Sequence, residues 1–323
     1  MDPKPDRGNM VEVWTEKYRP RTLDDIVGHE HVVQRLMAFV KDESLPHLLF
    51  TGPAGTGKSA SALAVSRDLF GERWRNNVLE LNASDTRGID VIRNQVKNFA
   101  RSKAVGDVPF KIIILDEADA LTPEAQHALR RTMENYTETA RFVLICNYSS
   151  KIIDPIRSRC SIFRFPRLDE EMASDLLEKI CEKEGIVYDE SGLGAIFSVT
   201  RGDLRKSINL LQSVSATGKD VTEEVVYEVS SQAKPHAVKK LLEEAIDGNF
   251  LDSRDKLQEL LLEKGISGID ILKEIHRQVY DLDIDESRKV RLIEKLGDYE
   301  FRIDEGADEQ IQLEALLAQF AIS

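Results

Sequence analysis

Two patterns of apolar residues divide the chain near residue 165. Before that point, short continuous apolar runs alternate with stretches in which apolar residues recur every three or four positions. The runs that predict strands cover 47–51, 78–82, 111–116 and 142–147. Continuous apolar strands separated by helices are typical of a parallel sheet covered by helices on both faces. The first part of the chain is therefore predicted to be an α/β domain.

Beyond residue 165 the pattern predicts helices and no strand. Amphipathic stretches over 170–184 and 203–214 are followed by a second boundary near Pro235. Further helices are predicted over 238–246, 253–262, 269–279, 287–296 and 309–320, with breaks at Gly248, Gly265, Gly268 and Gly297. We therefore predict a frayed tail over 1–10, an α/β domain over 11–165, a small helical domain over 166–234 and an all-helical domain over 235–323.

Composition indicates an intracellular protein without a membrane partner. The chain is 41% hydrophobic and 31% charged, and none of its apolar runs approaches the roughly 18 residues that span a bilayer. Its polar first ten residues lack the apolar stretch of a secretory signal. Cys146, Cys160 and Cys181 form no CxxC pair, so we expect buried or partly buried thiols rather than a zinc site or a disulfide framework.

The acidic charge of the chain is unevenly distributed. Residues 1–165 carry 24 Lys and Arg against 22 Asp and Glu, whereas residues 166–323 carry 20 against 35, so charges of +2 and −15 make up the net −13. A net charge of −13 alone argues against nucleic-acid binding. The asymmetry reopens that possibility for the first part of the chain if its basic residues share one face.

A phosphate-binding loop follows the first predicted strand. Residues 52–59 read GPAGTGKS and satisfy GxxxxGK[ST], with a strand before the loop and a helix over 59–70 after it. The expected nucleotide contacts are Gly52, Pro53, Ala54, Gly55, Thr56, Gly57, Lys58 and Ser59. Backbone N–H groups would surround the phosphates at the positive end of the helix. Lys58 would reach the β- and γ-phosphates, and Ser59 would bind Mg²⁺.

Acidic residues follow the third predicted strand. Asp116 stands at its carboxyl end, where a Mg²⁺ ligand is expected opposite a phosphate loop. Glu117 is suited to deprotonating the attacking water. An acid that merely caps the following helix is the alternative, and it fits Asp119 better than Asp116. Asn147, Arg159 and Arg205 are further candidates for contacting water or phosphate, although either arginine alone could equally form a surface salt bridge.

The order of these motifs resembles a known family. WTEKYRP (14–20), VGHE (27–30), GPAGTGKS, ELNASDTRGIDVIR (80–93), ILDEADALT, LICN, SRC and GDLRKSIN occur together over nearly the whole chain. The combination is similar to the small subunit of the archaeal and eukaryotic clamp loader, replication factor C, most of all to the archaeal form. The resemblance implies an AAA+ ATPase domain, a helical lid domain over 166–234 and a helical collar over 235–323.

The family's activity and site residues are implied in the same way. The resemblance implies an ATP- and Mg²⁺-dependent subunit of a pentameric ring that contains a related large subunit and other small subunits. That ring opens a sliding clamp and loads it onto primer–template DNA, in the cytoplasm or, in a eukaryote, the nucleus. Tyr18, Arg19, Pro20, Val27 and Gly28 match the segments around the adenine and ribose. Asn147 matches sensor 1, Arg205 sensor 2, and Arg159 the arginine finger that acts on a neighbour's nucleotide.

A basic stripe is the candidate DNA surface. In a helix predicted over 89–103, Arg93, Lys97 and Arg101 recur every four residues, and Arg87 precedes them. Thr122, as the N-cap of another helix, and Lys151 are further candidates. Solvated charge is the alternative for each basic residue, but less so for the stripe as a set. Phe99, with Ile92 and Gln95, lies on another side of the same helix. In the family this region approaches the clamp, so Phe99 is a candidate clamp contact, with ordinary core packing slightly favoured.

Three other functions compete with clamp loading. A DEAD-type helicase is suggested by residues 116–119, but the chain predicts no second recombinase-like half. Another AAA+ remodelling ATPase that acts on nucleic acid stays possible. A structural ring subunit that binds ATP without hydrolysing it is the third alternative, although the presence of Lys58, Glu117 and Asn147 argues against it.

Overall fold

The computed structural model describes residues 12–84, 92–106 and 108–322 of the chain. These form two compact units. The first comprises the described residues up to Val187 together with Ile196–Gln212, and the second comprises Tyr188–Ala195 together with the chain from Ser213 onward. The predicted division into three domains at 165 and 234 stays a prediction.

Some sequence predictions fall outside the described residues. The tail predicted over 1–10 and the candidate DNA contact Arg87 lie there, and so does the side chain of Arg93.

The first unit is built on a single parallel sheet. Its strands are β1 His47–Thr51, β2 Val78–Asn82, β3 Lys111–Asp116, β4 Ala140–Cys146 and β5 Cys160–Arg164, in the order β2-β3-β4-β1-β5. The first three have the predicted bounds, whereas β4 ends at Cys146, so Asn147 follows the strand rather than ending it. The sequence did not predict β5, because its only buried residue is Phe163 and it lacks a continuous apolar run.

Both faces of this sheet are covered. Leu48 and Phe50 of β1 pack in one apolar cluster with helix residues such as Leu36 and Val65. Leu49, which points to the opposite face, packs in a second cluster with Leu129. Successive strand residues therefore enter different cores, as the continuous apolar runs predicted, and the α/β prediction is confirmed.

Helices make up most of the remaining described chain. They are α1 Glu30–Lys41, α2 Lys58–Phe70, α3 Lys97–Arg101, α4 Pro123–Asn135, α5 Glu170–Glu184, α6 Glu190–Thr200, α7 Leu204–Ser215, α8 Glu223–Ser230, α9 Pro235–Ile246, α10 Phe250–Gln258, α11 Gly268–Gln278, α12 Glu286–Asp304 and α13 Glu309–Ile322. Single helical turns occur at Trp14–Lys17, Trp74–Asn77 and Asp154–Arg157. None of the helices in the described part of the chain has the length and hydropathy needed to cross a bilayer.

In the second unit, the helices from α9 onward pack around one apolar core, in which Val238, Leu272 and Leu316 are buried. The predicted helix over 253–262 is divided, since α10 ends at Gln258 and a π-helical turn continues over Glu259–Glu263. The predicted break at Gly297 is wrong, because α12 runs through it. A glycine lowers the stability of a helix interior by only ~1 kcal/mol, which the packing of Leu292 and Leu296 on the core can offset.

The three cysteines are free thiols, and they are buried or partly buried as the sequence predicts. Cys146 and Cys181 are buried and Cys160 is half-buried. Burial raises the pKa of Cys160 to about 12 and that of Cys181 to about 11.

The strand order decides where the candidate site lies. The strands β3, β4 and β1 are consecutive neighbours, and all run in the same direction. The segments that leave their carboxyl ends therefore meet at one edge of the sheet. These segments begin at Glu117, Asn147 and Gly52, which brings the predicted acidic, amide and phosphate-loop residues together.

Candidate functional site

The phosphate loop takes its shape from glycines whose backbones lie against other chain segments. Gly52 has φ 152°, and a Cβ there would stand 2.1 Å from the carbonyl oxygen of Phe165. Gly55 has φ 74°, and its Cβ would stand 1.9 Å from Oδ1 of Asp203. A side chain at either position would displace the loop, so glycine is required there for close approach as well as for conformation.

Lys58 occupies the first position of α2 and turns back over the loop. Its ammonium donates to the carbonyl oxygens of Gly52 at 2.7 Å and Pro53 at 2.6 Å, and it lies 3.4 Å from Oδ1 of Asn147. Burial lowers the pKa of Lys58, and the nearby carboxylate of Asp116 opposes that shift. The positive charge of Lys58 therefore lies where the loop, the end of β4 and the start of α2 meet, next to the positive end of the helix dipole.

Ser59 and Asp116 form the candidate Mg²⁺ site. The Ser59 hydroxyl donates to Oδ2 of Asp116 at 2.5 Å, which joins the start of α2 to the end of β3. Among the described residues, no group of three or more His, Cys, Asp or Glu side chains is placed to hold a metal ion. One hydroxyl and one carboxylate suit Mg²⁺, because this ion prefers oxygen and usually keeps water and substrate phosphates as its other ligands.

Glu117 stands at the bend after β3. Its backbone is left-handed, with φ 52° and ψ 38°, and its N–H donates to Oδ1 of Asp116 at 2.8 Å. Its carboxylate is exposed at the cavity wall. A non-glycine residue in this conformation is uncommon, and at a ligand site such local strain accompanies a fixed side-chain direction.

One cavity of ≈ 380 Å³ collects most of the predicted nucleotide contacts. Its lining includes Tyr18, Arg19, Pro20, Val27, Ala54, Gly55, Thr56, Gly57, Lys58, Ser59, Asp116, Glu117, Asn147 and Arg205. Three predicted contacts are not in the lining. Gly52 and Pro53 instead present their carbonyls to Lys58, and Gly28 lies so close to Leu168 that a Cβ would stand 2.5 Å from its Cδ2.

Several cavity residues were not predicted. Thr15, Glu16, Asp25, Leu176, Leu204 and Ile208 also line the cavity. Leu176 and Ile208 lie on helices that the sequence predicted, but the apolar periodicity of a helix does not distinguish a core contact from a ligand contact. His29 was missed as well. Its Nε2 lies 2.9 Å from the carbonyl oxygen of Thr56, and burial lowers its pKa.

The segment before α1 is tied down at Tyr18. The Tyr18 hydroxyl donates to Oε1 of Glu184, which also pairs with Lys17 at 2.6 Å. Burial and this carboxylate raise the pKa of Tyr18. The adjoining Arg19 and Pro20 thereby reach the cavity wall from a fixed anchor.

The start of α7 is joined to the phosphate loop. The Leu204 N–H donates to the carbonyl oxygen of Gly55 at 3.0 Å, and Oδ1 of Asp203 accepts from the Lys206 N–H at 3.1 Å. This contact brings Arg205 to the cavity beside the loop.

Arg159 lies elsewhere in the first unit. It follows the single turn Asp154–Arg157 and is not among the residues that line the cavity. Its guanidinium contacts Glu134 Oε1 at 2.5 Å and the carbonyl oxygen of Pro155 at 2.6 Å. The chain therefore presents this cation away from its own phosphate loop.

The candidate DNA residues lie on exposed segments. Lys97 and Arg101 are both exposed on α3, which a π-helical turn over Ile92–Val96 precedes. Thr122 is the N-cap of α4, where its hydroxyl accepts from the Ala125 N–H at 3.3 Å. Exposed Lys151 lies 5.2 Å from the ring centroid of Tyr148.

Gln126 connects two of these segments. Its Nε2 donates to the carbonyl oxygens of Leu121 at 3.2 Å and Lys151 at 3.0 Å, which joins the start of α4 to the turn that carries Lys151. Contact of these residues with DNA stays a prediction.

Phe99 packs partly inside the molecule. It is half-buried against the second apolar cluster, and the Lys111 ammonium lies 4.4 Å from its ring centroid. The predicted clamp contact at Phe99 stays a prediction.

Comparisons with known proteins identify the family. Residues 48–168 match the ATPase family associated with various cellular activities (AAA), and residues 233–319 match the replication factor C C-terminal domain. A protein of Methanocella arvoryzae is 52% identical over 309 residues, covering 96% of both chains. One of Methanococcus maripaludis is 54% identical over 313 residues, covering 97% of this chain and 99% of the relative. Both are named "Replication factor C small subunit". The chain belongs to the replication factor C small subunit family. The resemblance seen in the sequence is confirmed.

Solved structures support the fold. RuvB of Thermotoga maritima, a Holliday junction branch migration motor, aligns with a TM-score of 0.55 at 16% identity, covering 77% of this chain and 86% of RuvB. A mutant of the same RuvB gives a TM-score of 0.57 at 18% identity, covering 81% of this chain and 90% of the mutant. At these identities the similarity concerns the fold alone, and it agrees with the α/β sheet of the AAA family.

Proposed function

We propose that this chain is an ATP-hydrolysing subunit of a clamp loader, in which ATP binding and hydrolysis drive opening of a sliding clamp and its loading onto primer–template DNA. The observation that carries this proposal is the convergence of Lys58, Ser59, Asp116, Glu117 and Asn147 at one cavity, in a chain of the replication factor C small subunit family. Family membership supports the clamp-loading process, and the cavity residues support ATP binding and hydrolysis.

In the proposed reaction, binding uses the loop and α2. The loop N–H groups and the helix dipole surround the phosphates, and Lys58 places its charge against the β- and γ-phosphates. To do so, its ammonium exchanges carbonyl contacts for phosphate oxygens. Ser59 and Asp116 would hold Mg²⁺, which would supply positive charge opposite the phosphates. Tyr18, Arg19, Pro20 and Val27 enclose the base and ribose.

Hydrolysis needs a base and an orienting group. Glu117 accepts the proton of the attacking water, and Asn147 orients this water from the end of β4. Arg205 adds positive charge on the leaving phosphates from the start of α7. Since phosphoryl transfer depends mainly on positioning and electrostatics, the fixed bend at Glu117 and the link between Leu204 and Gly55 support this assignment.

A ring of subunits accounts for the position of Arg159. A chain that carries a phosphate loop and also a cation directed away from that loop suits a head-to-tail ring, in which each arginine reaches the next subunit's nucleotide. We propose a pentamer with a related large subunit and other small subunits. We propose the second unit for assembly, because residues 233–319 match the replication factor C C-terminal domain.

DNA is proposed to bind through its phosphates. Lys97, Arg101 and Lys151 offer charge. Thr122 marks a helix start, but Pro123 has no N–H, the Ala125 N–H donates to the Thr122 hydroxyl, and Glu124 in the same turn opposes an anion there. Such contacts carry no sequence information, so the complex would hold primer–template junctions of any sequence.

The competing functions are less well supported. All five strands of the described residues belong to one sheet, whereas a DEAD-type helicase has a second recombinase-like half. The relatives at 52% and 54% identity span nearly the whole chain, which favours a clamp loader over another AAA+ remodeller. Glu117 and Asn147 at the cavity favour hydrolysis over a purely structural role.

The test is ATP turnover by the complex of this chain with its large subunit, measured alone, with clamp, with primed DNA and with both. We expect the highest rate with both together. The variant Glu117→Gln should keep ATP binding and lose hydrolysis. Indifference to clamp and DNA would overturn the proposal, a stable hexamer without clamp binding would favour another remodeller, and binding without turnover would favour a structural subunit.

A further inference from the structure

The last acid of the Asp116–Asp119 segment makes contacts that explain its position. Asp119 lies in the 3₁₀ turn Ala118–Ala120 after β3, and it does not cap the following helix, whose N-cap is Thr122. Its Oδ2 instead accepts hydrogen bonds from the backbone N–H groups of Asn147 and Tyr148, each at 3.2 Å. The alternative that Asp119 is a helix cap is therefore wrong.

The two hydrogen bonds occur where the strand pairing stops. The registered pairs of β3 and β4 end at Leu115 and Leu144, and beyond them Cys146 of β4 pairs with Thr51 of β1. Asp119 extends the connection beyond that point, because its carboxylate reaches across from the turn to the chain that leaves β4.

This connection joins two segments that carry chemistry. The turn of Asp119 begins directly after Glu117, and the accepted N–H groups belong to Asn147 and its neighbour. The Asn147 side chain lies 3.4 Å from the Lys58 ammonium, so a shift of its backbone would move the amide relative to the phosphate loop. The Asp119 carboxylate thus links the turn after Glu117 directly to the Asn147 segment.

We propose that Asp119 is a positioning residue for ATP hydrolysis, which holds the Glu117 turn and the Asn147 segment at their working separation. The inference rests on the proposed function, since it takes Glu117 and Asn147 as the groups that act on the attacking water. Asp119 itself does not line the cavity.

The turn does not need Asp119 for its own shape. The Ala120 N–H donates to the Glu117 carbonyl oxygen at 2.8 Å, and the Leu121 N–H donates to that of Ala118 at 3.2 Å. Buried Ala118 packs in the second apolar cluster. Loss of the carboxylate should therefore leave the turn folded and loosen its attachment to the Asn147 segment.

Two substitutions test this role in the assembled complex. Asp119→Ala removes both acceptors, whereas Asp119→Asn keeps an oxygen that can accept from both N–H groups. We expect Asp119→Ala to lower the single-turnover hydrolysis rate by about 10²-fold, as a misplacement of about an ångström can, with nearly unchanged affinity for a fluorescent ATP analogue. Asp119→Asn should recover most of the rate. Asp220→Ala, which removes an exposed acid in the second unit, is the matched control and should hydrolyse normally.

The outcomes separate this inference from the proposed function. Normal hydrolysis by Asp119→Ala would overturn it, and so would an Asp119→Asn variant as slow as Asp119→Ala. If Asp119→Ala also loses nucleotide affinity or thermal stability, the Asp119→Asn rate alone decides, and a rate near that of the unsubstituted protein supports positioning. Glu117→Gln is measured alongside. Full turnover by that variant would refute the proposed base, whatever the Asp119 variants do.

Discussion

Arg159 is paired with Glu134, whose Oε1 lies 2.5 Å from its Nη2. The same carboxylate oxygen accepts from Arg130 at 3.3 Å, so one acid at the end of α4 serves two arginines. A pair as exposed as this one adds little to folding stability, but it restricts the rotamers of a long side chain. The guanidinium is therefore held in a fixed direction on the surface. Because one carboxylate faces two arginines, the three side chains together keep a net positive charge.

Arg159 is predicted to act on a neighbouring subunit. We expect Arg159→Ala to leave ATP affinity nearly unchanged, because Arg159 does not line its own chain's cavity, and to lower hydrolysis in the assembled complex by about 10³-fold or more. Turnover and fluorescent-nucleotide binding measure the two effects separately. Arg157→Ala is the control, since Arg157 pairs with Asp154 beside it.

Mixing experiments decide whether the arginine acts in trans. Subunits with Lys58→Ala keep the arginine but have a defective phosphate loop. Added to Arg159→Ala subunits during assembly, they should restore part of the turnover, because each supplies its arginine to an intact neighbouring loop. A mixture no more active than either variant alone would refute action in trans.

The exposed basic residues of α3 are predicted to contact DNA phosphates. Lys97→Ala and Arg101→Ala should each weaken binding of the complex to primed DNA to a similar extent for every sequence. Each should also lower the slope of log K against log salt by about 1, because one fewer counterion is released. Fluorescence anisotropy over a range of salt concentrations measures both effects. Lys219→Ala is the control, since Lys219 pairs with Glu228 in the second unit. An unchanged slope in the α3 variants would exclude Lys97 and Arg101 as DNA phosphate contacts.

The sequence predicted four strands of the first unit, including the edge strand Val78–Asn82, and missed the strand at the opposite edge. Strands such as Lys111–Asp116 are buried on both faces. Their continuous apolar run, and the acid that ends it, can therefore be recognised in the sequence alone. The edge strand Cys160–Arg164 carries mixed residues and no continuous apolar run, so the sequence pattern did not reveal it.

The site was predictable where a motif fixes the local backbone. Lys58 and Asp116 act through their own loop and strand, so spacing along the chain located them. Asp119 and His29 act through hydrogen bonds to backbone groups that are distant in sequence, at Asn147 and Thr56. Only the fold reveals such partners, because a carboxylate or an imidazole carries no sequence signal of what it will contact.

Replacing Gly297 should stabilise the second unit. This glycine lies exposed within α12, and a Cβ built there meets no atom within 4 Å. Gly297→Ala should raise the free energy of unfolding by about 0.5–1 kcal/mol, because alanine loses less backbone entropy in a helix. Thermal denaturation measures the shift. Gly248→Ala is the matched control, since φ 87° there is strained for alanine and should lower the unfolding temperature. A destabilised Gly297→Ala variant would contradict the exposed position.

Buried His47 is predicted to make the first unit sensitive to acid. The Phe142 N–H donates to its Nδ1 at 3.1 Å, and burial, with Arg141 nearby, lowers the pKa of His47 to about 4. Below its ordinary value of 6.5, the unfolded chain takes up a proton that the folded chain does not bind until about pH 4. The stability contributed by neutral His47 is therefore complete above pH 6.5 and is lost as the pH falls towards 4, by on the order of 3 kcal/mol.

The substitution that tests this is His47→Asn, because an asparagine oxygen can accept from the Phe142 N–H and does not titrate. Urea unfolding at several pH values between 7 and 4.5 should give a steeper loss of unfolding free energy in the unsubstituted protein than in His47→Asn. Burial lowers the pKa of His29 in the same direction, but His29 is present in both proteins, so its contribution cancels in the comparison. The exposed His127 gives the control, His127→Asn, which should follow the unsubstituted curve. Equal slopes for the unsubstituted protein and His47→Asn would show that His47 does not remain neutral in the folded chain.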